Sequence, residues 1–362
     1  MINFHKKYLL RIQNKLALSN YAYLWLSFLK GVIVTLIVIW VFNIASHLGK
    51  SDLNFKKVFI PSDIGLDSYL KNSEISLGDV PEEAQKKIIW SNEEKNKTDI
   101  AIAFLPGFST TNFQQKEFFD KLSKELDANI FLSRLSGHGR EYPGSKQMSA
   151  ENYLKDTSEA IEIAKRIGNK VILIGFSLGG ALTTAASFDE KLSKDLHGVV
   201  LFAPAYVGTI RNNSLWLYAM SFLDKINHDC NDYINDQKKY DCTKYSTNVF
   251  ETSDGVEGGH IMSAVAEKDF SVNKVPALSF FDYDDDVINS YETEKRLDKW
   301  GNKKSKIVII ESGEKDIKQH YIVGFLNPEL DEFYIKEISL SLIHISEPTR
   351  RYAISYAVFC LK

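Results

Sequence analysis

Residues 170–188 read KVILIGFSLGGALTTAASF, and they leave the chain little freedom. An apolar run of strand length enters a Gly-x-Ser-x-Gly turn, and a stretch of small residues leaves it. Gly175 and Gly179 sit where a side chain would collide across so tight a turn. Gly180 lets the following helix approach the sheet. Strand, Gly-x-Ser-x-Gly and helix, in that order, are what a nucleophile elbow requires. The pentapeptide alone decides nothing, because three fixed positions recur by chance and a Gly/Ser turn after a strand is ordinary. Ser177 is either a nucleophile or a small turn residue, and the rest of the chain has to choose.

The surroundings alternate in type. Strands are expected at 99–108, 129–139, 170–177, 196–205, 275–286 and 306–313, two of them running into loops. Between them lie amphipathic segments. Residues 112–127 place Phe113, Phe118, Leu122 and Leu126 on one face. Residues 149–168 open on Ser149, a helix cap, with Asn152 three residues on. Residues 178–188 complete the set. Alternating strand and helix units predict an α/β fold with a doubly wound, mostly parallel sheet. Its strands read as continuous apolar runs because both faces are covered.

An acid and a histidine follow downstream at strand ends. DYDDDVINS comes after the 275–281 strand, and GEKDIKQHYIVG after the 306–312 strand. Open α/β sheets gather their active groups outside the carboxyl ends of the strands. The chain order Ser, Asp, His is the one an elbow serine needs. With this context Ser177 reads as the nucleophile.

The pieces LPGFSTT, FLSRLSGHGR, VILIGFSLGGAL, DYDDDVI and HYIVG, between about Val80 and Pro328, carry a resemblance. The chain resembles a bacterial α/β-hydrolase of the carboxylesterase and lysophospholipase-like, serine aminopeptidase S33-like, group. It departs at Pro106-Gly107, where members of that group usually have His-Gly. The resemblance implies an α/β-hydrolase fold and a Ser-His-Asp triad working through an acyl-enzyme. A serine hydroxyl needs an adjacent base, and His320 is the candidate. His138 lies in a Gly-rich loop and is expected to shape the pocket. His260 precedes the acid, which is the wrong order. Among Asp282, Asp284, Asp285 and Asp286, the group's pattern of Asp, any residue and two aliphatic residues selects Asp285, followed by Asp286-Val287-Ile288. The oxyanion donors would be the amides of Phe108 and Leu178.

Residues 209–272 interrupt the sheet and are expected to form a helical cap. Within it, 214–226 reads as an aromatic amphipathic helix. Trp216, Tyr218 and Phe222 are candidate substrate-binding residues, with packing on the body as the alternative. Cys230 and Cys242 suggest a local disulfide, which persists only in oxidising compartments.

The ends stand apart. Residues 21–48 are apolar apart from Lys30, Asn43 and His47, and the preceding segment carries Lys6, Lys7, Arg11 and Lys15 without an acid. These features predict a single-pass transmembrane helix, a cytoplasmic N-terminus and an extracytoplasmic, periplasmic catalytic domain. At the other end, Leu340–Arg350 and Ile354–Leu361 match the translation of short-read sequencing adapters. Residues 340–362 are therefore expected to be an artefact that packs little. The expected division is 1–50 for the basic segment and anchor, 51–208 and 273–339 for the core, 209–272 for the cap, and 340–362 for the tail.

A net charge of −3 and the lack of a basic stripe argue against nucleic-acid binding. No metal-ligand spacing is present, and no metal or cofactor is expected. The acidic turn at 282–286 does not fit an EF-hand, which needs Gly at its sixth position and Glu at its twelfth. The expected function is a membrane-anchored serine hydrolase cleaving carboxylic esters, with a small-molecule or lipid ester as substrate. A peptidase or acyltransferase with the same triad, or a catalytically silent binding module, are the alternatives.

Overall fold

The computed structural model describes residues 19–47, 53–208, 226–227, 246–311, 319–325, 327–346 and 356–360. The chain divides into two compact units, 1–48 and 49–362. In the first, one helix is described, α1 (Asn20–His47). The second runs α2 (Leu66–Ile75), β1 (Lys87–Ile89), β2 (Thr98–Leu105), α3 (Lys116–Leu126), β3 (Asn129–Leu132), α4 (Ala150–Ile167), β4 (Gly168–Phe176), α5 (Leu178–Phe188), β5 (Leu196–Phe202), β6 (Ile226–Asn227), β7 (Val249–Phe250), α6 (Thr252–Ala266), β8 (Ala277–Asp282), α7 (Ser290–Leu297), β9 (Lys306–Glu311), α8 (Asp331–Ser346) and β10 (Tyr356–Cys360).

Eight strands form one sheet in the order β1-β3-β2-β4-β5-β8-β9-β10. Only the β1–β3 pair is antiparallel. Successive strand residues face opposite sides, and the two cores follow that period. Ala101, Ala103 and Leu105 of β2 face one core with Leu178, Ala181 and Leu182 of α5. Ile102 and Phe104 face the other, with Phe118, Phe119 and Leu122 of α3 and Tyr334 and Ile338 of α8. Helices therefore cover both faces, as the continuous apolar runs require. Ser149 caps α4, its Oγ accepting from Asn152 N–H at 3.2 Å.

The strand order reverses at β2. The chain steps from β2 to β3 on one side, then crosses back so that β4 lies on the other. The crevice beyond the carboxyl ends of β2 and β4 is thus the topological switch point, where open α/β sheets bind ligands.

Three expectations change. Among the described residues no helix is long and apolar enough to cross a membrane. The apolar run of α1 is interrupted by the charge of Lys30. The single-pass anchor, and the cytoplasmic and periplasmic placement built on it, therefore do not stand. The insertion is also not all cap: α6 lies within 209–272, yet its Ile261 and Val265 are fully buried in the core that holds α5. Lastly, α8 runs into the tail as far as Ser346 and buries Leu342, and β10 pairs with β9, Tyr356 opposite Ile307. The tail thus makes at least one core contact, through Leu342. A leucine on the inward face of α8 is buried by the helix that carries it.

Candidate active site

The elbow forms because two glycines permit it. A Cβ at Gly179 would lie 2.0 Å from Leu105 O, and one at Gly175 would lie 2.2 Å from Gly179 O. Neither contact is possible, so the turn closes only with hydrogen at both positions. Ser177, at its apex, adopts φ 53° and ψ −115°. Its N–H donates to Phe202 O at 2.9 Å, and its carbonyl accepts from Ala205 N–H at 3.0 Å, so β5 holds the turn in place. Three of the five described non-glycine residues with positive φ are Ser109, Ser177 and Ala203. They follow β2, β4 and β5, so backbone strain collects at the carboxyl ends of three adjacent strands, as it does at functional sites.

His320 meets this serine. Its Nε2 lies 2.9 Å from Ser177 Oγ, and its Nδ1 lies 2.7 Å from Asp285 Oδ2. A carboxylate oxygen only accepts, so the imidazole donates from Nδ1 and leaves Nε2 to accept the serine proton. The second oxygen of Asp285 accepts from Val287 N–H at 2.8 Å and Ile288 N–H at 2.9 Å. The two residues after Asp286 thus fix the carboxylate through their amides. All three side chains are buried, and the Phe176 ring packs on the imidazole at 5.3 Å. Gly324, at φ +98°, lets the histidine loop lie against Gln114, whose carbonyl accepts from Phe325 N–H.

The other candidates are elsewhere. Asp284 and Asp286 are exposed, and Asp282 Oδ1 accepts from Asp284 N–H. His260 lies on α6, 3.9 Å from Glu257. His138 is fully buried, edge-on to Phe108 at 5.7 Å, with Nε2 3.3 Å from the Tyr153 hydroxyl. Burial, with the Arg134 guanidinium next, pushes its imidazole down to about 3. His138 is therefore neutral at any ordinary pH and serves as wall. Trp216, Tyr218, Phe222, Cys230 and Cys242 lie outside the described residues.

Leu178 directly follows the serine, and Gly107, one residue before Phe108, lies against it: a Cβ there would be 3.1 Å from Ser177 Cβ. Among the described residues neither the Phe108 nor the Leu178 amide has a hydrogen-bond partner. After Pro106 the loop closes by Thr110 Oγ1 donating to Gly107 O at 3.0 Å. The wall beyond them is α6, where a Cβ at Gly258 would lie 3.3 Å from the Phe108 ring and 3.5 Å from Leu178 Cδ2. Sequence reasoning missed this wall, because the glycines of EGGHIMSA weaken the helical pattern.

The fold recurs in known proteins. The family model described as serine aminopeptidase, S33, matches residues 96–314. No curated protein matches the chain. Three solved structures share the fold. One comes from work on LipS and LipT, two metagenome-derived lipolytic enzymes; it is 16% identical with a TM-score of 0.55, over 73% of this chain and 99% of its own. The monoacylglycerol lipase of Paleococcus ferrophilus is 16% identical with a TM-score of 0.54, over 72% and 98%. A soluble variant of the Saccharomyces cerevisiae monoglyceride lipase is 12% identical with a TM-score of 0.57, over 73% and 92%. At these identities the likeness is one of fold, whereas the family match covers most of the sheet and the elbow. By its sheet order, its elbow and this match, the chain belongs to the serine aminopeptidase S33 family of α/β-hydrolases.

Proposed function

We propose that this protein cleaves carboxylic esters through a covalent acyl-enzyme, with Ser177 as nucleophile, His320 as base and acid, and Asp285 as the group that orients the imidazole. The observation that carries the reading is the unbroken hydrogen-bond chain from Ser177 Oγ through His320 to Asp285. In the first step Oγ bonds to the ester carbon, its proton passes to Nε2, and the carbonyl electron pair moves onto oxygen. The amides of Phe108 and Leu178 receive that oxyanion; one such donor is typically worth about 10²–10³ in turnover. The intermediate collapses as the C–O bond to the leaving group breaks and Nε2–H gives its proton to the departing alkoxide. Water then repeats the sequence on the acyl-enzyme and frees Ser177.

Esters are favoured over amides because the three relatives of this fold named above are lipolytic enzymes and monoglyceride lipases. The peptidase reading has its own support in the family description, serine aminopeptidase. A silent binding module is disfavoured, since it has no use for three buried groups in hydrogen-bond contact. The test is an ester series from acetyl to palmitoyl, run beside an aminoacyl arylamide, with fluorophosphonate labelling. Ester turnover with labelling at Ser177 is expected. Arylamide turnover alone would move the assignment to a peptidase, and a protein that does neither would end the enzymatic reading.

A further inference from the structure

The stem on which the insertion returns to the sheet is fastened to the oxyanion side of the site. Thr247 is buried, and its N–H donates to Ser109 O at 2.7 Å. Its Oγ1 accepts from Gly139 N–H at 2.8 Å. One residue earlier, Ser246 forms an antiparallel bridge with Thr110. Three residues later, the Phe250 ring meets the Phe108 ring edge-on at 5.3 Å. The stem thus ties together two loops that leave different strands, the one after β2 and the one after β3.

The loop after β2 needs such a tie. Ser109, directly after Phe108, has φ 58°, the left-handed region that an L-residue with a side chain keeps only when its neighbours hold it there. Relaxation of Ser109 would turn the peptide that joins it to Phe108, and the Phe108 N–H proposed as donor lies one peptide further back along the same loop. The Gly139 loop backs the same residue, because His138 packs on the Phe108 ring.

We propose that Thr247 is a positioning residue for the Phe108 amide, holding the loops after β2 and β3 in one register. The proposal rests on the reading of Phe108 as an oxyanion donor. It makes the return stem of the insertion and the transition-state site a single mechanical unit. A purely structural threonine would only satisfy the Gly139 N–H; its loss would lower the melting temperature and leave turnover of the folded protein intact.

The test uses the full chain and a soluble p-nitrophenyl ester, with kcat, KM and the Ki of a trifluoromethyl ketone of the same acyl chain. That ketone forms a tetrahedral oxyanion on the serine and so reports the donors directly. Thr247→Val keeps the side-chain shape and removes the hydroxyl that accepts from Gly139 N–H. It should lower kcat roughly 10- to 100-fold with KM nearly unchanged, the scale expected for a displaced donor. The Ki should rise by the factor by which kcat/KM falls, and Thr247→Ser should recover most of kcat. A folded Thr247→Val with wild-type kcat and Ki overturns the proposal, as does a Thr247→Ser as poor as the valine. If Thr247→Val does not fold, Phe250→Leu loosens the same loop from the other side; a lowered kcat at steady KM supports the proposal and an unchanged kcat overturns it. Failure of the underlying reading looks different, since wild-type protein would then neither turn over the ester nor label at Ser177, and the proposal would fall with it.

Discussion

Asp285 and Asp284 are neighbours in the chain, yet Asp285 is buried against His320 while Asp284 is exposed. Four acids within five residues offer one carboxylate to the imidazole, and the amides of Val287 and Ile288 fix which one. Ser177→Ala and His320→Ala should each remove nearly all ester turnover. Asp285→Asn should cost on the order of 10⁴ in kcat by presenting the wrong imidazole tautomer, whereas Asp284→Asn should cost little. The Ser177/His320 double variant should be barely worse than either single one, because triad members act as a unit. Steady-state kinetics on the five variants checks this, and a crippled Asp284→Asn would refute the assignment.

Much of this site was legible in the sequence because its constraints are local. The turn at Ser177 needs Gly175 and Gly179 whatever surrounds it, and strand ends place Asp285 and His320 in order. What escaped notice is held by distant contacts. Thr247 meets Gly139 108 residues away, and Glu74 meets Arg134 60 residues away. No period or spacing marks such pairs. The insertion was misread at α6 for a related reason: Gly258 and Gly259 weaken a helix by propensity, and tertiary packing of Ile261 and Val265 overrides them.

The Arg134–Glu74 pair yields a stability prediction. The guanidinium bonds both carboxylate oxygens, at 2.9 and 3.0 Å, and both side chains are at most 3% exposed. Removing one partner strands a buried charge. Glu74→Gln should destabilise the fold by about 3–5 kcal/mol, read as a lower urea midpoint at unchanged slope. Arg134 also donates to His138 O at 3.0 Å, so the loop behind Phe108 loosens and turnover should fall as well. Replacing the pair by Leu and Met should recover much of the stability, since apolar groups of similar volume often match a buried ion pair.

Two buried groups pull the acid stability curve in opposite directions. His138 falls from 6.5 to about 3 on folding, through burial first and Arg134 second. Between those values the unfolded chain binds the extra proton, so this group makes stability rise with pH from about 3 to 6.5. Asp254 moves the other way, from 3.8 up to about 6, chiefly through burial and against its hydrogen bond from Glu251 N–H. Here the folded chain holds the proton, so stability falls as pH rises from about 4 to 6. Between about 4 and 6 the two contributions oppose each other, so removing either one leaves the sign of the other showing. Asp254→Asn should make the slope more positive, whereas His138→Phe should make it more negative. Thermal melts at pH 4, 5 and 6 decide; identical slopes in all three proteins would contradict both assignments.

The tail of α8 can be tested by truncation. Leu342 is buried with Tyr334, Ile335 and Ile338, while Leu340 is exposed. The helix therefore gives residues 340–346 an inward leucine whatever their origin. Ending the chain after Ser346 keeps that contact and removes β10, an edge strand that pairs with β9 alone. This variant should melt within a few degrees of the full chain and keep its turnover. Ending it after Ser339 removes Leu342 from the core, where a buried leucine is worth about 2 kcal/mol. The melting temperature should then drop measurably, while kcat for the folded fraction stays the same, since residues 340–362 supply none of the triad. If both truncations melt alike, Leu342 contributes nothing and the original expectation of a non-packing tail is restored. The likeness of 340–362 to sequencing adapters has a separate test, the source locus read from DNA prepared without them. A contiguous LIHISEPTR in that locus would make the leucine contact a native one.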